Sequence, residues 1–366
     1  MLSFIIPCFN HGHYLSDCLN SIYLQSNPNW EAIIVNDGST DDSLTIINKW
    51  VAKDNRFYFI NKPNGGLSSA RNEGILNAKG KVFCFLDSDD CILPGMCDII
   101  LKSINDHKNI NIFQSSYRYI YGVNKEVLRV VNPEIRKTLF PDILTFNFGP
   151  IHSFFFRREV FAHVNYFDCS LKSAEDWDFL IRVMKSGIND IYFIDKVLVD
   201  YRIDDNSMSR NAFRMYEALK TVSFSAVKFD SRLSTSLPFN IDYEINPINS
   251  IKRNLLLCLG VSIAQGRIDD SIQLLNDEKQ KFNFNIDLLD YSRMCSYLSF
   301  RYRKSESDLL RIENVVIPNF ILFFKKLGFN DIQVHSVIYL IFDSFFKIKR
   351  KQKWKFLSPF VNFFYS

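Results

Sequence analysis

Val82-Phe83-Cys84-Phe85-Leu86-Asp87-Ser88-Asp89-Asp90 sets an uncharged apolar run directly against three carboxylates. Residues 82–86 read as a strand buried on both faces of a sheet, and the acids begin where that strand ends. The same alternation recurs toward the N-terminus. Residues 2–8 form an apolar run closed by Pro7 and the Asn10-His11-Gly12 turn, followed by a helical stripe of Leu15, Cys18, Leu19 and Ile22 over 14–24. Residues 30–36 are a second buried strand. It ends at Asp37-Gly38-Ser39-Thr40, and Thr40 and Asp41 suit the N-cap of a helix with Leu44, Ile47 and Val51 inward. Residues 57–61 make a third strand, 63–66 a turn, and 67–78 a helix striped by Leu67, Ala70, Gly74, Ile75 and Ala78. Four strand and helix units in under a hundred residues imply right-handed crossovers and an α/β fold with a mainly parallel sheet.

Ligands of such sheets bind at the carboxyl ends of the strands. Pro7, Phe9 and Asn10 fall at the first of these ends, Asp37 at the second, Asn64 to Gly66 at the third and Asp87 to Asp90 at the fourth. The spacing predicts one pocket. It is not a dinucleotide site of the usual kind, because Pro-Cys-Phe-Asn-His-Gly follows the first strand and no Gly-x-Gly-x-x-Gly appears there.

Three carboxylates this close repel one another by several kcal/mol at low dielectric unless solvent or a cation relieves them. A divalent metal of the Mg²⁺ or Mn²⁺ type suits such hard oxygen ligands and favours substrate phosphates as its other partners. The plainer alternative is a solvated turn capping the helix near Pro94. A second acidic string, Glu175-Asp176-Trp177-Asp178-Phe179, opens a predicted helix to about Ser186. Asp176 shares a face with Phe179, Leu180 and Val183, so it points inward, where first-turn amides would hold it ionised as a proton acceptor. Ordinary capping by an acidic first turn explains it equally well. Asp178 faces Arg182 at i+4 and reads as a surface pair.

The chain has 366 residues, 47% apolar and 23% charged, with 13 Gly and 11 Pro, which excludes a disordered or collagen-like chain and suggests two domains. Its 44 basic and 40 acidic groups divide as 22 against 25 over residues 1–210 and 22 against 15 beyond. The basic excess, +7 after −3, lies in the C-terminal part, and nucleic-acid binding by the N-terminal part is not expected. The 8 cysteines show no Cys-x-x-Cys and read as reduced, mostly buried thiols, so a cytoplasmic location is expected. No basic region precedes the first apolar run, so a cleaved signal peptide is not expected. No run reaches the roughly 18 apolar residues of a membrane span.

Six strings now stand in order: Phe-Ile-Ile-Pro-Cys-Phe-Asn, Val-Asn-Asp-Gly-Ser-Thr-Asp-Asp-Ser, Asn-Gly-Gly-Leu-Ser-Ser-Ala-Arg-Asn-Glu-Gly-Ile, Phe-Leu-Asp-Ser-Asp-Asp, Glu-Asp-Trp-Asp-Phe and Tyr-Arg-Ile-Asp-Asp-Asn-Ser-Met-Ser. Together, over residues 2–210, they resemble the family 2 glycosyltransferases of GT-A fold. The resemblance implies inverting transfer of a sugar from a nucleotide diphosphate donor, usually UDP-linked, to an acceptor hydroxyl. It implies Pro7 and Phe9 as the wall under the base, Asp37 on the pyrimidine NH, Arg71 near the nucleotide and Asp87 near the ribose. Asp89, with Asp90, would hold the metal and Asp176 would be the base. Glu175 and Trp177, beside that base, are expected on the acceptor side, and His152 either touches the acceptor or ends a strand before residues 154–156. His11 and His13 read as turn residues. Two positions depart from the pattern: Asn36 stands where an aspartate is frequent, and Asp204 where many relatives have a histidine, which leaves Asp204 as a third ligand or as a repulsive charge.

Beyond Arg210 the motifs stop. Helices are expected over 214–228, 251–264, 269–282, 288–302 and 320–326, with a boundary loop at 238–247 and a helical hairpin about Gly266, similar to a tetratricopeptide turn. The expected division is a GT-A domain at 1–210, a helical domain at 211–346 and a basic, aromatic tail at 347–366, the last suited to a peripheral contact with the inner face of a membrane. The leading function is a glycosyltransferase acting on a glycan or lipid-linked acceptor in cell-surface polysaccharide or glycolipid synthesis. The alternatives are an inactive relative that binds nucleotide sugar or protein, and a nucleotidyltransferase, which would need a Gly-rich phosphate loop after the first strand.

Overall fold

The computed structural model describes residues 1–203, 211–292, 294 and 310–351. Strands β1 (Leu2–Cys8), β2 (Trp30–Asp37), β3 (Phe57–Lys62) and β4 (Val82–Phe85) alternate with helices α1 (Gly12–Tyr23), α2 (Ser43–Lys53) and α3 (Leu67–Asn77). The four strands pair in parallel. After β5 (Cys91–Ile92) and α4 (Met96–Asp106) come β6 (Ile112–Tyr121), β7 (Glu126–Val131), β8 (Phe154–Arg157), helix α5 (Glu175–Lys185) and β9 (Ile191–Ile203). They complete a nine-stranded sheet ordered β3-β2-β1-β4-β8-β6-β9-β5, with β7 paired to β6. Beyond β4 the sheet is mixed. β8 runs antiparallel to β4 and β6, whereas β9 is parallel to β6 and antiparallel to β5.

Successive strand residues feed two cores, as a period of two requires. Leu2, Phe4, Ile6 and Cys8 pack with α1, α2 and α4, while Ile5, Ile33, Val35, Phe83 and Phe85 pack with α3 and α5. Gly74 lets α3 lie directly on β1, since a Cβ there would collide with Ile5. Beneath α5, Phe179 stacks on Phe161 and Phe167 with ring centroids 5.5 and 4.5 Å apart, which fixes the helix against the sheet.

The chain divides into two compact units, Met1–Ser207 with Ala218–Pro247, and Met208–Glu217 with Ile248–Ser366. In the first, Val222, Ala226 and Leu233 join the core under α5. The second is helical, with α7 (Ile248–Ala264), α8 (Ile268–Phe282), α9 (Leu288–Ser292), α10 (Ile317–Lys326) and α11 (Asp331–Lys351), and α6 (Ala212–Ala226) precedes them in the chain. No described helix is long and apolar enough to cross a membrane. Asp204 and tail residues 352–366 lie outside the described residues.

Asp178 and Arg182 are not the surface pair that their spacing predicts. Both are buried, 3.0 Å apart, and Arg232 from the 218–247 segment closes on Asp178 at 2.7 Å, on Asp168 at 2.7 Å and on Asp230 at 2.7 Å. Phe179, Leu180 and Val183 are buried as expected, but so is the Asp178 and Arg182 side, which the 218–247 segment covers, and Asp176 is the more exposed residue of the first turn. Asp178→Ala would leave the buried Arg182 guanidinium without its carboxylate, a loss of about 3 kcal/mol. We expect a fall of roughly 6–12 °C in Tm by thermal melt.

Candidate active site

The four parallel strands deliver their carboxyl ends to one edge, where the connecting turns are cross-braced. Asn10 has φ 55°, and its side-chain oxygen accepts the Thr40 amide at 2.7 Å. Asn36 donates to Asn61 at 2.7 Å and accepts the Ser39 amide at 3.2 Å, so the residue replacing the more frequent aspartate supports the loop. Gly38, at φ 78°, lies so close to Asn64 that a Cβ would stand 2.8 Å from that residue's amide nitrogen. Asp37 is buried; it accepts Lys62 Nζ at 2.5 Å and the Gly65 and Gly66 amides at 2.9 and 2.8 Å. Pro7 is buried within β1, whereas Phe9 is 46% exposed beside it.

After β4 the chain turns sharply, with the Asp90 amide donating to Asp87 O at 3.0 Å. Ser88 Oγ meets His11 Nδ1 at 2.8 Å, so His11 braces this turn from α1. The carboxylates separate in environment. Asp87 is part-exposed and accepts Arg71 Nη2 at 2.8 Å; against the cost of burial, Arg71 and His152 hold its carboxyl below the usual range. Asp90 is fully buried, accepts the Arg202 amide at 2.7 Å and lies 2.8 Å from His152 Nδ1 without hydrogen-bond alignment. Asp89 is half-buried and its carboxylate has no hydrogen bond or ion pair to another side chain among the described residues. Burial and the charges of Asp90 and Asp87 push it well above the ordinary carboxylate range.

One ligand atom from each of Asp87, Asp90 and His152 lies within 4.8 Å of the others, and His152 Nε2 and Asp90 Oδ2 are buried without hydrogen-bond partners. This donor set fits a divalent cation: two carboxylates and an imidazole, with Asp90 Oδ2 and His152 Nε2 left for a ligand. His152 is 1% exposed. A direct contact with an acceptor is therefore corrected to a place inside the acidic turn, where β8 brings it.

Arg71, from α3, is the link to the other side of the site. It is 2% exposed and spans Asp87 at 2.8 Å and Glu175 Oε1 at 2.7 Å, joining the end of β4 to the start of α5. Ala174, just before α5, takes the left-handed conformation at φ 59°, a strained geometry for alanine that sets the direction in which Glu175 and Asp176 leave the chain. Asp176 is half-buried and accepts the Trp177 amide at 2.7 Å. The helix terminus does not keep it ionised, as its position alone suggested: burial and the Glu175 charge outweigh Arg71 and the amide, and its carboxyl is pushed up to about 7. Trp177 is 1% exposed and its indole donates to Ile143 O at 2.7 Å. Its acceptor-side placement is corrected to a core residue that anchors α5.

Arg202, in β9, escaped sequence reasoning. Its side chain donates to Asp89 O while its amide serves Asp90. The Tyr-Arg string marked the position but carried no signal of this contact.

A parallel half extended by a mixed half, with an acidic turn at the carboxyl edge and a helix that starts in Glu-Asp joined to it by Arg71, is the GT-A architecture. The glycosyl transferase family 2 profile matches residues 3–164. An uncharacterized glycosyltransferase of Rickettsia typhi is 31% identical over 231 residues, 60% of this chain and 70% of that protein. The chain spans 36–41% of the length of three longer Rickettsia relatives. Among solved structures, S. aureus TarS 1-349 in complex with UDP-GlcNAc superimposes with TM-score 0.51 at 18% identity, covering 96% of this chain and 92% of that one. The mannosyltransferase PcManGT of Pyrobaculum calidifontis, in complex with GDP-Man and Mn2+, gives TM-score 0.50 at 13% identity, covering 97% and 87%. The chain belongs to glycosyltransferase family 2 and is a glycosyltransferase.

Proposed function

We propose that the enzyme transfers a sugar from a UDP-linked donor to an acceptor hydroxyl in a single inverting displacement, with Asp176 as base and a divalent metal on the diphosphate. The observation that carries this reading is Arg71, which ties the acidic turn to the base helix through Glu175, 104 residues further along the chain than Arg71 itself, in one buried assembly. In that reading Phe9 and Pro7 flank the nucleobase, Asp37 meets its ring NH, and Asp87 sits by the ribose. Asp89 and Asp90, with His152 and Asp204 as further ligands, hold Mn²⁺ or Mg²⁺. When bound, the metal supplies Lewis-acid stabilisation of the diphosphate leaving group. Asp176 takes the acceptor proton as the hydroxyl attacks the face of the sugar opposite the diphosphate. Glu175 is held by Arg71 and does not compete for that proton. The acceptor is a glycan or lipid-linked glycan of a cell-surface polymer, and the basic, aromatic tail would bring the enzyme to the inner membrane face where such an acceptor resides.

A base near pH 7 gives a defined profile. Asp176 acts only when deprotonated, so kcat/KM, which reports the free enzyme, should fall tenfold per unit below about 7 and level off above it. A profile flat from pH 5 to 8 would remove Asp176 from the rate equation.

The overall test is UDP release over a panel of nucleotide sugars and glycan acceptors, with and without Mn²⁺. Metal-dependent turnover with one donor supports the reading. No turnover with any pair, together with metal-supported UDP binding, would leave the inactive binding module as the function.

A further inference from the structure

We infer that Arg202 is a positioning residue that sets the Asp89–Asp90 turn in its cation-binding shape; this rests on the metal reading above. The residue is 1% exposed, so it does not touch the donor or acceptor. Its guanidinium is used on every side. Nε donates to Asp89 O at 2.7 Å, Nη1 to Gly122 O, and Nη2 to Asp17 Oδ2 at 3.2 Å, while the plane rests 4.4 Å from the Tyr14 ring centroid. Its backbone amide donates to Asp90 Oδ1 at 2.7 Å.

The effect on the turn follows from these contacts. One residue holds the main chain of Asp89 and a carboxylate oxygen of Asp90, so it fixes the backbone from which the first carboxylate leaves and the orientation of the second, two charges that would otherwise repel. With Oδ1 of Asp90 occupied, Oδ2 is left directed at His152 and Asp87, and the Asp89 carboxylate is left without a competing partner among the described residues. Asp17 also lies 3.5 Å from Lys125, so the support reaches α1 and the β6–β7 connection as well as β9. Lysine cannot reproduce it. A single ammonium has the charge but not the planar fork that reaches three acceptors at once.

Partners that orient ligands without touching the metal typically contribute about 10- to 100-fold to its affinity. The test uses the full chain, with Mn²⁺ titrated by electron paramagnetic resonance in the presence of UDP, UDP affinity without metal by calorimetry, and a thermal melt. Arg202→Lys should raise the half-saturating Mn²⁺ concentration by about tenfold or more. Metal-free UDP affinity should stay within about twofold, because the nucleobase contacts lie at the ends of other strands and Asp87 is held by Arg71 of α3 rather than by Arg202. A residue that only maintains the fold would lower both together, and that result overturns the inference. So does Mn²⁺ affinity within twofold of the parent chain while Asp89→Asn loses it, which leaves the metal reading standing. If Asp89→Asn and His152→Ala both bind Mn²⁺ as the parent does, the metal reading falls and this inference with it. Should Arg202→Lys not fold, Asp17→Asn decides: Asp17 is 40% exposed and its loss removes only one of the contacts. A rise of about threefold in half-saturating Mn²⁺ supports the inference, and no change overturns it.

Discussion

Asp176→Asn should lower kcat by about 10²–10⁴-fold, the usual contribution of a positioned general base, and leave metal-supported UDP affinity unchanged. The substitution is close to a single-atom change. Asparagine keeps the side-chain oxygen that accepts the Trp177 amide at 2.7 Å, so the first turn of α5 retains its hydrogen bond. Folding should not suffer either. The Asp176 carboxyl is half-protonated near pH 7 because burial and Glu175 oppose its charge, and a neutral amide there relieves that repulsion. Loss of turnover with intact Tm and intact UDP binding therefore isolates the proton transfer. Glu175 cannot take over while Arg71 holds it at 2.7 Å. A kcat within tenfold of the parent enzyme would place the base elsewhere.

The parts of this site that the sequence announced share one property: each is fixed by a short stretch of chain. The strand ending at Asp87, the turn at Asp37-Gly38 and the inward face of α5 follow from local periodicity, because a strand buried on both faces must be apolar and an acid beside it must sit at its end. What was not legible depends on which strands meet. β8 lies antiparallel beside β4, with Cys84 opposite Phe155, and this carries His152 to Asp90 across 62 positions of sequence. β9 returns antiparallel to β5 with Cys91 opposite Asp200, and this puts Arg202 under Asp89. The alternation of strand and helix predicts the parallel pairing of the first four strands; the reversal at β8 has no local signature. The burial of Trp177 and Asp178 is illegible for a related reason: Ile143 and Arg232, which cover them, come from segments with no recognisable pattern.

Asp89→Ala should bring UDP affinity in the presence of Mn²⁺ down to its metal-free value, and lower kcat/KM by roughly 10²–10³-fold, the scale of a lost Lewis-acid contact of several kcal/mol. Among the three carboxylates this is the one that can be removed cleanly. Asp87 anchors Arg71 and through it Glu175, so its loss would disturb the base helix as well as the donor side. Asp90 holds the Arg202 amide, and its loss would leave a buried amide unpaired, at a cost of about 1–3 kcal/mol. Asp89 holds no other side chain among the described residues, and its charge is resisted by Asp90 and Asp87. Alanine there should leave Tm unchanged or raise it, which is the opposite of what a structural acid would do. That inversion separates the two readings with which the acidic string began. A helix-capping turn loses stability and keeps metal-supported donor binding, whereas a cation site gains stability and loses it. If UDP affinity in Mn²⁺ is unchanged in Asp89→Ala, the cation is held by Asp87, Asp90 and His152 alone, and the same titration on His152→Ala would then show the loss.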